Sequence, residues 1–88
     1  MRRINLQYNS LFNEYFLDFG PHHKDKLQLG ILSDDELLLK LKKQINIKRN
    51  TQLYLDKGIT EKLRENIKEI FKGTKIIAVI GGWKMINL

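Results

Sequence analysis

Eighty-eight residues make one domain with a modest core, and 42% apolar with 30% charged residues describes a folded, well-solvated chain rather than a disordered one. The lack of cysteine excludes a disulfide framework, a thiolate nucleophile and a cysteine-based metal site, and fits a reducing cytoplasm. The net charge of +6 admits an acidic or polyanionic partner, while no apolar run approaches the ~20 residues of a membrane-spanning helix and Met1-Arg2-Arg3 opens no signal peptide.

Residues 2–8 alternate, with Ile4, Leu6 and Tyr8 on one side and Asn5 and Gln7 on the other, which predicts a half-buried strand. Asn9-Ser10 is turn chemistry. Tyr15, Leu17 and Phe19 then alternate with Phe16 and Asp18, and the two strands form an N-terminal hairpin. Gly20-Pro21 ends the second strand. His22-His23-Lys24-Asp25-Lys26 reads as a polar loop, and Leu27–Ile31 as a short irregular strand.

Ser33-Asp34-Asp35-Glu36 is a capping box: Ser33 and Glu36 satisfy free backbone N–H groups reciprocally. It starts a helix over 34–45, whose buried stripe is Leu37, Leu38, Leu41 and Ile45. Its acids face the positive end of the helix dipole and Lys40, Lys42 and Lys43 the negative end. Leu53 and Leu55 alternate with Tyr54 in a strand over 52–56, and Asp56-Lys57-Gly58 is a turn.

Thr60 caps a second helix over 61–72 with Leu63, Ile67, Ile70 and Phe71 on one face. Its exposed side carries the pairs Glu61/Arg64, Glu65/Lys68 and Glu69/Lys72, and Gly73 is a left-handed C-cap. The run Ile76-Ile77-Ala78-Val79-Ile80 has no polar relief, which predicts a strand buried on both faces in the middle of a sheet. The order is β-β-α-β-α-β, with a possible further strand at the C-terminus.

Gly81-Gly82 admits two readings. A Gly-Gly between apolar runs is a hairpin signal, and Trp83, Met85 and Ile86 make the following segment apolar enough for an edge strand. A diglycine also lets backbone lie flat in a narrow enzyme groove, where a β-carbon would clash.

The ordered whole resembles the ubiquitin-like β-grasp family. MRRINLQYNSLFNEYFLDF is similar to its N-terminal hairpin, and ELLLKLKKQINIKRNTQLYL to its helix, connector and third strand. LYLDKGIT resembles the tight segment that follows, and NIKEIFKGTKIIAVIGG the late helix, central last strand and diglycine. AVIGG also resembles the ending of bacterial sulfur carriers, which stop at the second glycine. The tail Trp83–Leu88 resembles instead a precursor, as in eukaryotic ubiquitin-like proteins and those of bacterial antiphage operons.

The resemblance implies an α+β, single-domain β-grasp fold over 1–82 with a tail at 83–88. It implies a protein modifier, not an enzyme: a peptidase cuts before Trp83, an activating enzyme adenylates Gly82, and a conjugating enzyme passes the chain to a target. The rivals are a non-enzymatic binding or inhibitor domain with an uncut Gly-Gly hairpin, and a basic nucleic-acid-binding module.

Other constellations point to nothing sharper. His22 and His23 are adjacent loop residues without an acidic or cysteine cluster, so no metal is expected. Lys40, Lys42, Lys43, Lys48 and Arg49 form a basic run that could touch phosphates. The helix dipole explains its lysines without a ligand, and nucleic acid is not the expected partner. Asp34, Asp35 and Glu36 are explained by capping, and no catalytic constellation or cofactor is expected.

Overall fold

The structure is a computed structural model, which describes residues 2–20 and 25–81. Its elements in chain order are β1 (Arg2–Asn9), β2 (Glu14–Asp18), β3 (Lys26–Gly30), α1 (Asp34–Gln44), β4 (Thr51–Leu55), α2 (Glu61–Ile70) and β5 (Ile76–Ile80). The five strands form one mixed sheet in the order β3-β2-β1-β4-β5. β1, β2 and β3 form an antiparallel meander. β4 runs parallel to β1, and β5 parallel to β4.

Register explains the core. Leu17, Leu6, Leu55 and Ile80 form one row across the sheet, and Ile4, Leu53 and Ala78 another. Apart from Ile80, which lies at the exposed end of its row, these residues share one cluster with Leu37 and Leu41 of α1 and Leu63 and Ile67 of α2, so both helices lie on the same face. The opposite face carries Arg3, Gln52 and Ile77 in one row and Asp18, Asn5, Tyr54 and Val79 in the next. Among the described residues no helix covers it. Asn5 and Asp18 are nonetheless buried there, where alternation placed polar residues in solvent. Asn5 lies on the central strand between Asp18 and Tyr54, and the Asp18 Oδ1 accepts the Gly20 N–H at 3.2 Å.

Both helices start as their sequences predict. The Ser33 Oγ accepts the Glu36 N–H at 3.3 Å and the Glu36 carboxylate accepts the Ser33 N–H at 3.2 Å, completing the box. The Thr60 Oγ1 accepts the Leu63 N–H. α2 stops at Ile70, two residues short of the expected 72, and Gly73 takes the left-handed φ of +80°. Of the three expected pairs on α2, Glu65–Lys68 forms, at 3.7 Å. The Arg64 Nη2 instead donates to the Lys57 carbonyl at 3.2 Å.

One expectation is borne out and one corrected. The short irregular strand expected at 27–31 is β3, an edge strand paired with β2 through a register shift between Tyr15 and Phe16. The apolar run 76–80 is not central: β5 lies at the other edge, and Ile77 is 54% and Ile80 56% exposed. The reason is connectivity. β4 already has β1 on one side, so the α2 crossover sets β5 down on the free side, where among the described residues it has a single strand neighbour.

Candidate functional site

The expected conjugation site begins at the end of β5. The Gly81 N–H donates to the Leu55 carbonyl at 2.8 Å, extending the ladder one residue beyond the strand. Gly81 has φ +104°, and a β-carbon there would meet nothing within 4 Å. Glycine is therefore required by backbone conformation, not by crowding. Gly81 lies at an edge of the sheet, beside the exposed Ile80. Gly82, Trp83 and the rest of the tail lie outside the described residues, as do His22 and His23.

The basic run is divided by the fold. The Lys40 Nζ donates to the Leu29 carbonyl at 3.3 Å, which ties Lys40 to β3. Lys42 and Lys43 are exposed on the last turn of α1. Lys48 and Arg49 sit exposed in the connector to β4, which is held in a tight turn. The Asn46 Oδ1 accepts the Lys48 N–H at 3.0 Å, and the Asn46 carbonyl accepts the Arg49 N–H at 3.2 Å.

Backbone bonds bring other cations to this connector. The Lys75 N–H donates to the Ile47 carbonyl at 3.3 Å, the Thr51 N–H to the Lys75 carbonyl at 3.1 Å, and the Arg2 N–H to the Asn50 carbonyl at 3.2 Å. Ile47, Lys48, Gly73, Thr74 and Lys75 line a shallow cleft of about 430 Å3. Lys72 is exposed beside Gly73, and Arg3 on the opposite sheet face from the helices. The Arg2 guanidinium stacks over Phe19, 5.1 Å from the ring centroid.

Sequence reasoning found Lys48 and Arg49 but not their neighbours Lys75, Lys72, Arg2 and Arg3. Each of these precedes or begins a strand. Only the parallel pairing of β1, β4 and β5 brings three strand starts to one end. The far end differs in charge: Asp34, Asp35 and Glu36 begin α1, Glu61 begins α2, and the Asp56 Oδ2 accepts the Tyr8 N–H at 3.3 Å.

The perturbed ionisations are structural. Hydrogen bonds from the Ser33 backbone and hydroxyl hold the Glu36 carboxyl below its ordinary 4.5. Burial raises the Tyr15 phenol, helped by Asp34 and Tyr8. Neither faces a nucleophile or a base, and among the described residues no group of histidines and acids has metal-binding proximity. No described helix is long and apolar enough to cross a membrane. The sequence matches no protein-family model, no curated protein and no solved structure.

Proposed function

We propose that this chain is a ubiquitin-like protein modifier of β-grasp type, whose working end is Gly81-Gly82. The observation that carries it is the close of β5. The strand ends on the sheet rim at Gly81, where a β-carbon would meet nothing within 4 Å, so an enzyme groove can approach this glycine without dismantling the core. A mixed sheet with an N-terminal hairpin and α1 across one face supports the fold part of the reading. The edge position of β5 is a departure from a central last strand, and the reading leans on the diglycine accordingly. The chemistry belongs to the partners: a peptidase that cuts before Trp83, an activating enzyme that adenylates Gly82, and a conjugating enzyme. This chain needs no cofactor, and the setting is the cytoplasm of a bacterium, in antiphage defence.

A second reading draws on the same edge. Ile77 and Ile80 make β5 an apolar edge open to another strand, as suits a binding or inhibitor domain with an uncut Gly-Gly hairpin. Intact mass of the protein recovered from its native cell separates the two. The modifier reading expects loss of the mass of Trp83–Leu88, and a chain ending at Gly82 that melts close to the full-length one. An uncut chain, with strong destabilisation on truncation, would leave the binding domain. Gly82→Ala should block activation if the groove is narrow.

A further inference from the structure

We infer that the end of the sheet where β1, β4 and β5 begin is a binding site for the phosphate backbone of a nucleic acid. The inference is independent of the diglycine. Its core is the cleft between the α1–β4 and α2–β5 connectors, with Lys48 and Lys75 on its walls. Arg49 and Lys72 stand beside it; the Arg2 backbone joins the connector at Asn50 while its guanidinium lies over Phe19, and Arg3 is on the opposite sheet face.

Charge balance supports a ligand. Among the described residues Lys48, Arg49, Lys72 and Lys75 make no ion pair; the pair that forms, Glu65–Lys68, is on the body of α2. Glu69 lies on the last turn of α2, and Asp18 and Asp25 at the junction of β2 and β3. The C-termini of α1 and α2 also lie at this end, each with a dipole equivalent to about half a negative charge. Lys42, Lys43 and Lys68 in the last turns offset those dipoles. Lys48, Arg49, Lys75 and Arg3 belong to no helix end, so capping does not explain them; Lys72, whose N–H donates to the Glu69 carbonyl, closes α2.

The chemistry of the patch selects phosphate over an acidic protein. Lysine is depleted from protein–protein interface cores, where aromatic anchors dominate. Here Lys48, Arg49, Lys72 and Lys75 are the exposed charged side chains of the two connectors, beside the exposed Asn46, Asn50 and Ile47, the last 44% exposed. The cations are spread over three chain segments fixed to one another by backbone bonds. That arrangement suits a row of phosphates, each neutralised singly with release of counterions. No base-reading element accompanies them, so recognition is of backbone and not of sequence.

The test measures binding of a fluorescent 20-base-pair duplex DNA, and of an RNA single strand of equal length, between 50 and 200 mM salt. Wild-type protein should bind in the micromolar range, with affinity falling as salt rises by about 0.9 log units per log unit for each phosphate contacted in the duplex and about 0.7 in the single strand. Lys48→Gln/Lys75→Gln should weaken binding at least tenfold at low salt and flatten the duplex slope by nearly two. Lys57→Gln/Lys62→Gln removes the same charge from the far end and should change neither much. All four side chains are exposed, so melting temperatures should stay together and confirm folded variants. Equal loss from both double variants would show attraction to net charge alone and overturn the site. Salt-insensitive or undetectable wild-type binding would overturn it as well.

Discussion

The two helix–strand units, α1–β4 and α2–β5, are nearly matched in size: helices of 11 and 10 residues, each feeding a strand of five. They differ in what the strand buries. β4 is half polar in sequence, yet it lies between β1 and β5, and Thr51, Leu53 and Leu55 are all buried. β5 is wholly apolar, yet it lies at an edge with Ile77 and Ile80 more than half exposed. The lesson concerns lateral position. Apolar content reports which faces can be covered, whereas the number of strand neighbours follows from the order in which crossovers fill the sheet.

The largest effect expected from this contrast is at Leu53, fully buried in the second row of the core. Leu53→Ala should destabilise the domain by about 2–5 kcal/mol, as deletions in filled cores do. Chemical denaturation of this variant beside Ile77→Ala measures the gap between the strands. A gap under about 1 kcal/mol would mean that β5 is as enclosed as β4.

The helix starts come next. α1 begins with a complete capping box and α2 with the Thr60 bond alone, because Leu63 stands where Glu36 stands in the first helix. Ser33→Ala and Thr60→Ala should each lose about 0.5–2 kcal/mol, with Ser33 the larger because its hydroxyl also donates to the Glu36 carboxylate at 2.9 Å. Thermal melts of the pair decide the order, and equal losses would show that the hydroxyl–carboxylate bond adds nothing.

A smaller effect is expected at Ile77→Asp. On sequence alone this change buries an unpartnered charge and unfolds the protein. At an exposed edge position it should leave a cooperative melt with a loss below about 1 kcal/mol. Unfolding would restore β5 to an enclosed position and break the comparison.

The smallest effect is on pH. The Glu36 carboxyl is held below its ordinary 4.5 in the folded chain. Its contribution is therefore complete above that value and disappears as pH falls through the lowered folded value. The stability difference between wild type and Ser33→Ala should shrink from pH 7 to pH 3, while the Thr60→Ala difference, which involves no carboxylate, should hold. Parallel behaviour of the two variants would refute the Glu36 contribution.

The elements were legible because their signals are local. The Ser33–Glu36 box, the Thr60 cap and the alternation in β1, β2 and β4 each act over a few residues, and each is found where the sequence predicts it; Gly73 has the expected left-handed φ, although α2 ends earlier, at Ile70 with Phe71 as its cap. The positive φ of Gly81 follows from the close of β5 and was not read from the sequence. β3 was legible only as a short irregular strand, because an edge strand needs little apolar content on its outer side.

What only the tertiary structure decided is neighbourhood. Pairing β4 with β1 and β5 with β4 removed the apolar strand from the centre. It buried Asn5 and Asp18 on a face without a helix. It also carried Lys75 and Arg2, far apart in the chain, to the connector of Lys48 and Arg49. Parallel pairing is made by backbone hydrogen bonds that any residue can supply, so the side chains of a strand do not name its partner.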